Sequence, residues 1–237
     1  MEMIDIHSHI LYGVDDGAKD LEESIAMIKD AKAQGIHAII ATPHYRYGMF
    51  AYPKEKIEKH YSLLREQAEA FGVELYLGTE QHVNSQTMEY VESGRCHTLA
   101  DSSYVLMEYK CEADFSYIKE TVQEAIRHGL IPIVAHIERY RCLTKIENVS
   151  FLREIGAMIQ VNADAVIGKE GFRTKAYVKK LLKNYMVDFV ASDAHGINSR
   201  KNHMGKCQIY LYKKYDNRYV EKILEKNARK ILETERV

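Results

Sequence analysis

Five short segments of this chain read as buried β-strands, and each ends in side chains of the kinds that bind metal ions. The five endings are His7-Ser8-His9, His44, Glu80, His136 and Asp193-Ala194-His195. In a barrel of parallel strands, the carboxyl ends of the strands meet at one mouth, where active sites form. The pattern therefore predicts a metal-dependent hydrolase site at the C-terminal rim of a parallel barrel.

Short β-branched runs alternate with longer amphipathic segments along the chain, which is typical of βα units around a parallel sheet. Strands are predicted near 4–9, 37–43, 74–80, 104–109, 131–136, 157–162 and 188–193, and helices near 19–34, 53–71, 85–93, 115–128, 145–155, 170–185, 200–214 and 217–234. Glycines that commonly end helices follow four of these helices, at Gly35, Gly72, Gly129 and Gly156. No linker-like segment interrupts the series. We expect an α/β fold, a distorted TIM-like (β/α)7 barrel, with residues 1–237 forming a single domain.

Composition excludes several classes of protein. The formal net charge of −1 gives no electrostatic case for nucleic acid or an anionic membrane as the main partner. No apolar stretch is long enough for a membrane span, so we expect no direct membrane insertion. The acidic start of the chain leads straight into a predicted strand and does not resemble a signal peptide, which favours a cytoplasmic protein.

The four cysteines are scattered and form no C-x-x-C pair, which argues against a zinc ribbon or a disulfide framework. None has an arginine six positions later, so the C-x5-R loop of cysteine-nucleophile phosphatases is absent. We expect buried, unreactive thiols at Cys96, Cys111, Cys142 and Cys207.

Two further carboxylates extend the set of candidate metal ligands. Glu108 ends the fourth predicted strand, and Asp16 lies in the loop after the first, where Asp15 more plausibly braces the loop. The complete set is His7, His9, Asp16, His44, Glu80, Glu108, His136, Asp193 and His195. Imidazole and carboxylate ligands without thiolate suit Mn²⁺, Fe²⁺ or Zn²⁺. Nine ligands exceed the need of one ion and predict a cluster of two or three, which suits phosphoester hydrolysis.

Basic side chains near the same mouth are candidates for binding phosphate. Arg139 and Arg200 follow the fifth and seventh strand endings closely, and Arg46 is a weaker third candidate. His82 is expected to face away from the pocket, whereas Asn162 either lines the pocket or bonds within its own loop. We expect surface or helix-packing roles for the remaining histidines, His37, His60, His97, His128 and His203.

These residues and their spacing resemble the PHP (polymerase and histidinol phosphatase) superfamily. Within it, the sequences Val14-Asp15-Asp16-Gly17, Arg46-Tyr47-Gly48-Met49-Phe50 and Ala135-His136-Ile137-Glu138-Arg139-Tyr140 look like the manganese-dependent protein-tyrosine phosphatases of Gram-positive capsule and exopolysaccharide clusters. The resemblance implies a distorted seven-stranded barrel, a Mn²⁺ cofactor (with Fe or Zn as alternatives) and a phosphotyrosine-bearing bacterial tyrosine kinase as substrate.

The resemblance also implies a distribution of the ligands over three ions, with Arg139 and Arg200 contacting phosphate. The implied groups are His7, His9, Glu80 and Asp193 for one ion, Glu80, Glu108 and His136 for the second, and Asp16, His44 and His195 for the third. Gln81 and His82 depart from the expected apolar or aromatic pattern, which bears on substrate preference.

Three alternatives stay open at the level of sequence. The chain could be a histidinol-phosphate or other small-molecule phosphatase, although carboxylates at Asp16 and Glu108 weigh against this. A metal-dependent amidohydrolase also begins with H-x-H, but Lys110 is poorly placed to serve as its carbamylated lysine. A non-catalytic scaffold of a polysaccharide-export complex would have no physical reason to keep nine ligands. The oligomeric state is left open.

Overall fold

Parallel strands and helices alternate along the chain, as the sequence predicts. The computed structural model describes residues 2–50 and 52–234. Its strands are β1 (Met3–Ser8), β2 (Ile36–Ala41), β3 (His44–Tyr45), β4 (Glu74–Leu77), β5 (Glu80–His82), β6 (Tyr104–Glu108), β7 (Ile131–Val134), β8 (Met158–Asn162) and β9 (Phe189–Ala191). Its α-helices are α1 (Leu21–Ala33), α2 (Lys54–Ala70), α3 (Thr87–Glu92), α4 (Phe115–Arg127), α5 (Ile146–Glu154), α6 (Ala163–Ile167), α7 (Phe172–Lys183), α8 (Met204–Tyr212), α9 (Asn217–Glu221) and α10 (Asn227–Glu233).

The strands form two parallel ladders that together make a curled sheet. The orders are β1-β2-β4 and β3-β5-β6-β7-β8-β9. The last strand also reaches the first, because Asp193 N–H donates to the His7 carbonyl at 2.9 Å and His9 N–H to the Ala194 carbonyl at 2.8 Å. The fold is therefore mixed α/β, with the carboxyl ends of all strands gathered at one rim.

Two predicted strands are each divided in the structure, so the described residues contain nine strands where the sequence predicted seven. The first division falls at Thr42 and Pro43, where proline supplies no N–H to the ladder. The second falls at Gly78 and Thr79. The two divisions lie side by side, since Gly78 N–H donates to the Ala41 carbonyl at 2.8 Å and Glu80 N–H to the Pro43 carbonyl at 3.2 Å.

The predicted helix ends are confirmed. Gly35, Gly72, Gly129 and Gly156 all have positive φ, the left-handed conformation in which glycine has no steric penalty. Sequence reasoning missed α6 and did not foresee that the last helix contains a π-helical turn, Lys222–Lys226, between α9 and α10.

Two clusters of buried apolar side chains hold the sheet in place. The larger cluster joins the sheet to the surrounding helices. The smaller cluster contains alternate residues of the strands, such as Ile4, Ile6 and Phe189, together with Ala228 and Ile231 of α10. Helix α10 thus packs against the apolar side of the curled sheet. The polar residues lie at the opposite rim.

Strand β1 is irregular just where its histidines begin. Its register against β2 shifts between Asp5 and Ser8. Strict alternation from Ile4 and Ile6 would place Ser8 rather than His7 on the face they share. Irregularities of this kind re-aim side chains next to active sites, and His7 is fully buried among the polar residues of the rim.

The prediction about the cysteines has a clear outcome. Cys96 and Cys207 are buried as predicted, but Cys111 is exposed and Cys142 is half-buried, so the prediction of four buried thiols is wrong. Both lie in loops that follow strands at the polar rim. Within 2–50 and 52–234, no helix is long and apolar enough to cross a membrane.

Candidate metal centre

The rim of the sheet brings all nine predicted ligands together. Each comes from the end of a strand, the start of a short strand beyond a division, or a loop directly after a strand. Their donor atoms fall into four overlapping groups, in each of which the atoms lie within 4.8 Å of one another. The groups are His9 with Asp16, His44 and His195; His7 with Glu80 and His136; His7 with His9 and Asp193; and His44 with Glu80 and Glu108.

Glu80 lies at the centre of this cluster. Its side chain is fully buried, and four imidazoles surround its two oxygens. The contacts are His136 Nε2 to Oε1 at 2.8 Å, and His44 Nδ1, His9 Nε2 and His7 Nε2 to Oε2 at 2.9, 3.2 and 3.3 Å. A carboxylate placed between several imidazoles has the position of a ligand that bridges two ions.

Four of the histidines are oriented by a partner at Nδ1, which leaves Nε2 directed at the cluster. The partners are Gln160 Oε1 for His7 at 3.3 Å, Asp15 Oδ2 for His9 at 2.8 Å, the Tyr140 hydroxyl for His136 at 3.2 Å and the Asp193 carbonyl for His195 at 2.9 Å. Metal-binding histidines are typically fixed in this way by a hydrogen bond at the other ring nitrogen. His44 differs, because its Nδ1 faces Glu80 and its Nε2 lies 3.4 Å from Asp16.

Several donor atoms of the cluster lie close to other polar atoms but make no hydrogen bond of acceptable geometry within the described ranges. They are buried and comprise His44 Nδ1, Glu80 Oε2 and His195 Nε2. Buried polar atoms are nearly always satisfied, so such a group at one place indicates a bound species that the protein is built to hold. Unpaired imidazole nitrogens beside a carboxylate oxygen fit a divalent cation of the Mn, Fe or Zn type.

The charges in the cluster keep the carboxylates ionised. Burial would raise the pKa of Glu80, but the nearby His7 and His44 hold it well below its usual range. Burial acts in the same direction on Asp193, whose pKa is nevertheless lowered by His7, His9 and Arg139. Burial lowers the pKa of His195 to about 4, and the nearby charge of His9 adds to this. His195 is therefore neutral near pH 7, the form that coordinates metal.

Both predicted arginines reach the cluster. Arg139 Nη2 lies 2.6 Å from Asp193 Oδ2, and Arg200 Nη2 lies 3.2 Å from both oxygens of the same carboxylate. A second Arg200 nitrogen, Nη1, lies 3.4 Å from Asp16 Oδ2. The two guanidinium groups remain partly exposed, at 32% and 42% of their side-chain surface. They stand at the open side of the cluster, where a phosphate could meet them.

Backbone strain is concentrated at the same rim. His136, Asp193 and Arg200 have φ of 30°, 51° and 45°, in the left-handed region that non-glycine residues rarely adopt. Strained residues of this kind persist where the surrounding structure enforces them and cluster at active sites. The loops after β7 and β9 thus hold these side chains at a cost in backbone energy.

Several residues of the site were missed or undervalued by sequence reasoning. The expectation that His82 faces away is wrong, because its Nδ1 lies 3.0 Å from Glu108 Oε2. Asn162 lines the cluster, where its Nδ2 donates to Asp193 Oδ2 at 3.0 Å. Gln160, a polar residue inside a strand, accepts from His136 N–H at 2.8 Å. Sequence reasoning could have found Gln160 because it is a polar residue two positions before the end of a buried strand.

Asp15 braces the loop as expected. Its Oδ1 accepts from Gly17 N–H at 2.9 Å, and its Oδ2 accepts from His44 N–H at 3.0 Å.

The five other histidines lie apart from the cluster and contact other groups. These are Glu2 for His37, the Tyr12 carbonyl for His60, Glu58 and Asp101 for His97, Glu92 for His128, and Asp164 and Lys169 for His203. Arg46 is bound through its backbone to Phe50 beside the site.

Comparison with known proteins places the chain in a family. A family model for capsular polysaccharide synthesis, CpsB/CapC, matches residues 3–233. Tyrosine-protein phosphatase CpsB of Streptococcus pneumoniae is 35% identical over 238 residues, covering 97% of this chain and 98% of the relative. Tyrosine-protein phosphatase YwqE of Bacillus subtilis (strain 168) is 30% identical over 240 residues, covering 99% and 93%.

Solved structures agree with this assignment. A chain from the crystal structures of YwqE and CpsB, described as unique metal-dependent tyrosine phosphatases, matches with a TM-score of 0.91 and 30% identity over 98% of this chain and 95% of that chain. The phosphotriesterase homology protein from Escherichia coli shares the fold, with a TM-score of 0.62 at 12% identity over 98% of both chains. The chain therefore belongs to the CpsB/CapC family of capsular polysaccharide synthesis.

Proposed function

We propose that this protein is a metal-dependent protein-tyrosine phosphatase, which hydrolyses phosphotyrosine on a bacterial tyrosine kinase that regulates capsular or exopolysaccharide synthesis. The central observation is the buried Glu80 carboxylate among four imidazoles, with two arginines at the open side. The tyrosine-phosphatase names of relatives that match nearly the whole chain support the choice of substrate.

The nine clustered residues would hold two or three ions, and Mn²⁺ is the ion we propose, with Fe or Zn as alternatives. Glu80 would be shared, with His7, His9 and Asp193 on one side and His136 and Glu108 on the other, while Asp16, His44 and His195 complete the set. His7, His9 and His44 each belong to two of the observed groups, so each could serve either of two ions. When bound, such ions supply Lewis acidity and activate water for attack on phosphorus.

The protein's own side chains would bind and orient the phosphate. Arg139 and Arg200 present planar guanidinium groups that match phosphate oxygens and stabilise the negative charge of the reacting group. Asp193 holds both arginines in place through its carboxylate, and Asn162 donates to the same carboxylate oxygen, Oδ2. The phenolate leaving group of tyrosine has a pKa of about 10, so its departure does not depend on a strong general acid.

The decisive experiment is steady-state kinetics on a phosphotyrosine peptide, a phosphoserine peptide and histidinol phosphate, with added Mn²⁺ and with EDTA. We expect Mn²⁺-dependent turnover that strongly favours phosphotyrosine. Faster turnover of histidinol phosphate would favour the small-molecule phosphatase. No hydrolysis in Mn²⁺, with less than one ion bound per chain, would favour a scaffold.

We further propose that the sheet closes as a distorted seven-stranded barrel. In this count, β2 and β3 are two parts of one interrupted strand, and so are β4 and β5. The hydrogen bonds from β9 to β1 support this. We also propose that residues 1–237 form one domain. A cytoplasmic location stays a prediction, which cell fractionation would test.

A further inference from the structure

A groove with a volume of about 1010 Å³ opens on the surface of the rim. Three loops line it, and they follow strands β3, β5 and β6. These strands are neighbours in the sheet, so the 46–49 loop forms one wall and the 82–86 segment the middle. The other wall is formed by residues 110–117, which run from the loop after β6 into the first turn of α4. None of the candidate metal ligands lines this groove.

The groove is continuous with the metal-ligand cluster through His82. This residue lines the groove, and its Nδ1 also lies 3.0 Å from Glu108 Oε2. On the first wall, Arg46 follows His44 by two residues. A chain that places a phosphorylated side chain among the ligands would therefore continue into this groove.

The walls offer apolar surface and charges of both signs, with Arg46 and Lys110 as the cations and Glu112 and Asp114 as the carboxylates. Tyr47 and Met49 are 77% and 61% exposed on one wall, and Tyr117 is 38% exposed on the other. Within the described ranges, neither Arg46 nor Lys110 has an acidic side-chain oxygen within ion-pairing distance. Exposed aromatic surface suits a peptide with an aromatic residue, and the two cations without an ion-pair partner suit an acidic residue placed beside one of them, away from Glu112 and Asp114.

The size of the groove also argues for a peptide. Pockets for drug-sized ligands measure roughly 300–1,000 Å³, so this groove alone equals the largest of them, without the metal-ligand cluster. A small phosphorylated metabolite would leave it almost unused. We infer that the groove binds the extended peptide segment that flanks the phosphotyrosine, with Tyr47 contacting an aromatic or apolar neighbour and Lys110 an acidic one.

The inference rests on the proposed tyrosine-phosphatase function, so its test separates peptide binding from chemistry. Tyr47→Ala and Lys110→Ala change the groove without removing a hydrogen bond or ion pair found in the described ranges. Leu63→Ala and Lys59→Ala on α2 are matched controls, since both residues are exposed and lie outside the groove. The substrates are a phosphotyrosine peptide flanked by tyrosine and glutamate, its alanine-flanked counterpart, and p-nitrophenyl phosphate.

We expect each groove variant to raise KM for the tyrosine- and glutamate-flanked peptide about fivefold to tenfold, as the loss of one good contact does. The kcat, the kinetics on p-nitrophenyl phosphate and the behaviour of both control variants should stay within about twofold of wild type. The alanine-flanked peptide should show little sensitivity to either groove substitution. Unchanged KM for the flanked peptide, or equal losses on peptide and p-nitrophenyl phosphate, would overturn the inference.

A binding measurement keeps the two proposals distinguishable. Fluorescence anisotropy with a non-hydrolysable phosphonate version of the flanked peptide reports on the groove even if the wild-type protein hydrolyses nothing. Weaker binding by the groove variants supports the groove as the peptide site, and equal binding by all variants refutes it. Absence of turnover on every substrate refutes the proposed function instead.

Discussion

At the scale of single residues, the orientation of three of the histidines, His7, His9 and His136, depends on a neighbour that is not itself a candidate ligand. Asp15 is the clearest case, because its Oδ2 lies 2.8 Å from His9 Nδ1 and also accepts from His44 N–H. Burial alone would lower the pKa of His9, and the charge of Asp15 contributes to holding it well above its ordinary value. The same carboxylate thus fixes one imidazole and the backbone that carries another.

We predict that Asp15→Asn weakens metal affinity about 10- to 100-fold, the usual cost of removing a partner of a metal-binding histidine. Competition against a fluorescent chelator measures this directly, without reference to activity. Asp20→Asn is the matched control, since Asp20 caps α1 and asparagine caps equally well. Equal metal affinities in Asp15→Asn and wild type would contradict the assigned role.

Glu138 makes stability depend on pH. Burial, reinforced by the nearby Glu170, raises the pKa of its carboxyl to about 8, and its Oε2 has no hydrogen-bond partner within the described ranges. Because the folded pKa exceeds the unfolded value, stability is full below pH 4.5 and is lost as pH rises through about 8.

We predict that Glu138→Gln removes this loss, because the amide stays neutral and keeps an oxygen for the Asn162 N–H. Between pH 5 and pH 8.5 the variant should gain on the order of 1–3 kcal/mol relative to wild type. Urea denaturation in EDTA at the two pH values measures the difference. A constant difference at both pH values would show that Glu138 ionises freely in the folded protein.

At the scale of elements, the sequence predicts most strands and helices near their observed places, but it misses α6 and the local irregularities. Hydrophobic runs identify where a strand lies, whereas the divisions at Pro43 and Gly78 depend on how two strands meet. The shift in β1 is set by pairing with β2 and leaves no mark in the periodicity of Ile4 and Ile6. His82 was misjudged because the strand was predicted to end at Glu80, whereas β5 continues to His82, and residues two apart on a strand share a face.

The close packing around Gly78, where the strand is divided, predicts that a larger residue is not tolerated at this position. A Cβ atom there would lie 2.7 Å from Leu99 Cδ2 and 3.1 Å from Ile40 Cγ2. Gly78→Ala should therefore destabilise the fold by about 1–3 kcal/mol, the usual cost of overpacking. In a Leu99→Ala background the same change should cost less, because the nearest atom is gone. Chemical denaturation of the four proteins of this cycle measures the coupling, and strict additivity would exclude the contact as the cause.

At the scale of the whole molecule, the proposed metal centre joins the two ends of the fold. His7 and His9 lie on the first strand, while Asp193 and His195 follow the last. Hydrogen bonds between backbone groups, and from Ser192 to the Asp5 carboxylate and the His7 carbonyl, also cross that seam, and these four side chains add polar contacts to it. Ions bound there would hold the first and last strands together and would bind only the folded chain.

We therefore predict a large stabilisation on metal binding. At a free ion concentration of about 1,000 times Kd, the gain is roughly 4 kcal/mol for one site, which corresponds to a rise in Tm of about 8–16 °C for a chain of this size. Calorimetry in EDTA and after return of Mn²⁺ measures the shift, and hydrogen exchange should slow most in β1 and β9. His128→Gln, outside the cluster, should keep the full response, whereas His9→Gln should lose most of it. A Tm that does not respond to Mn²⁺ would mean that these residues are held together by hydrogen bonds alone and that the seam needs no ion.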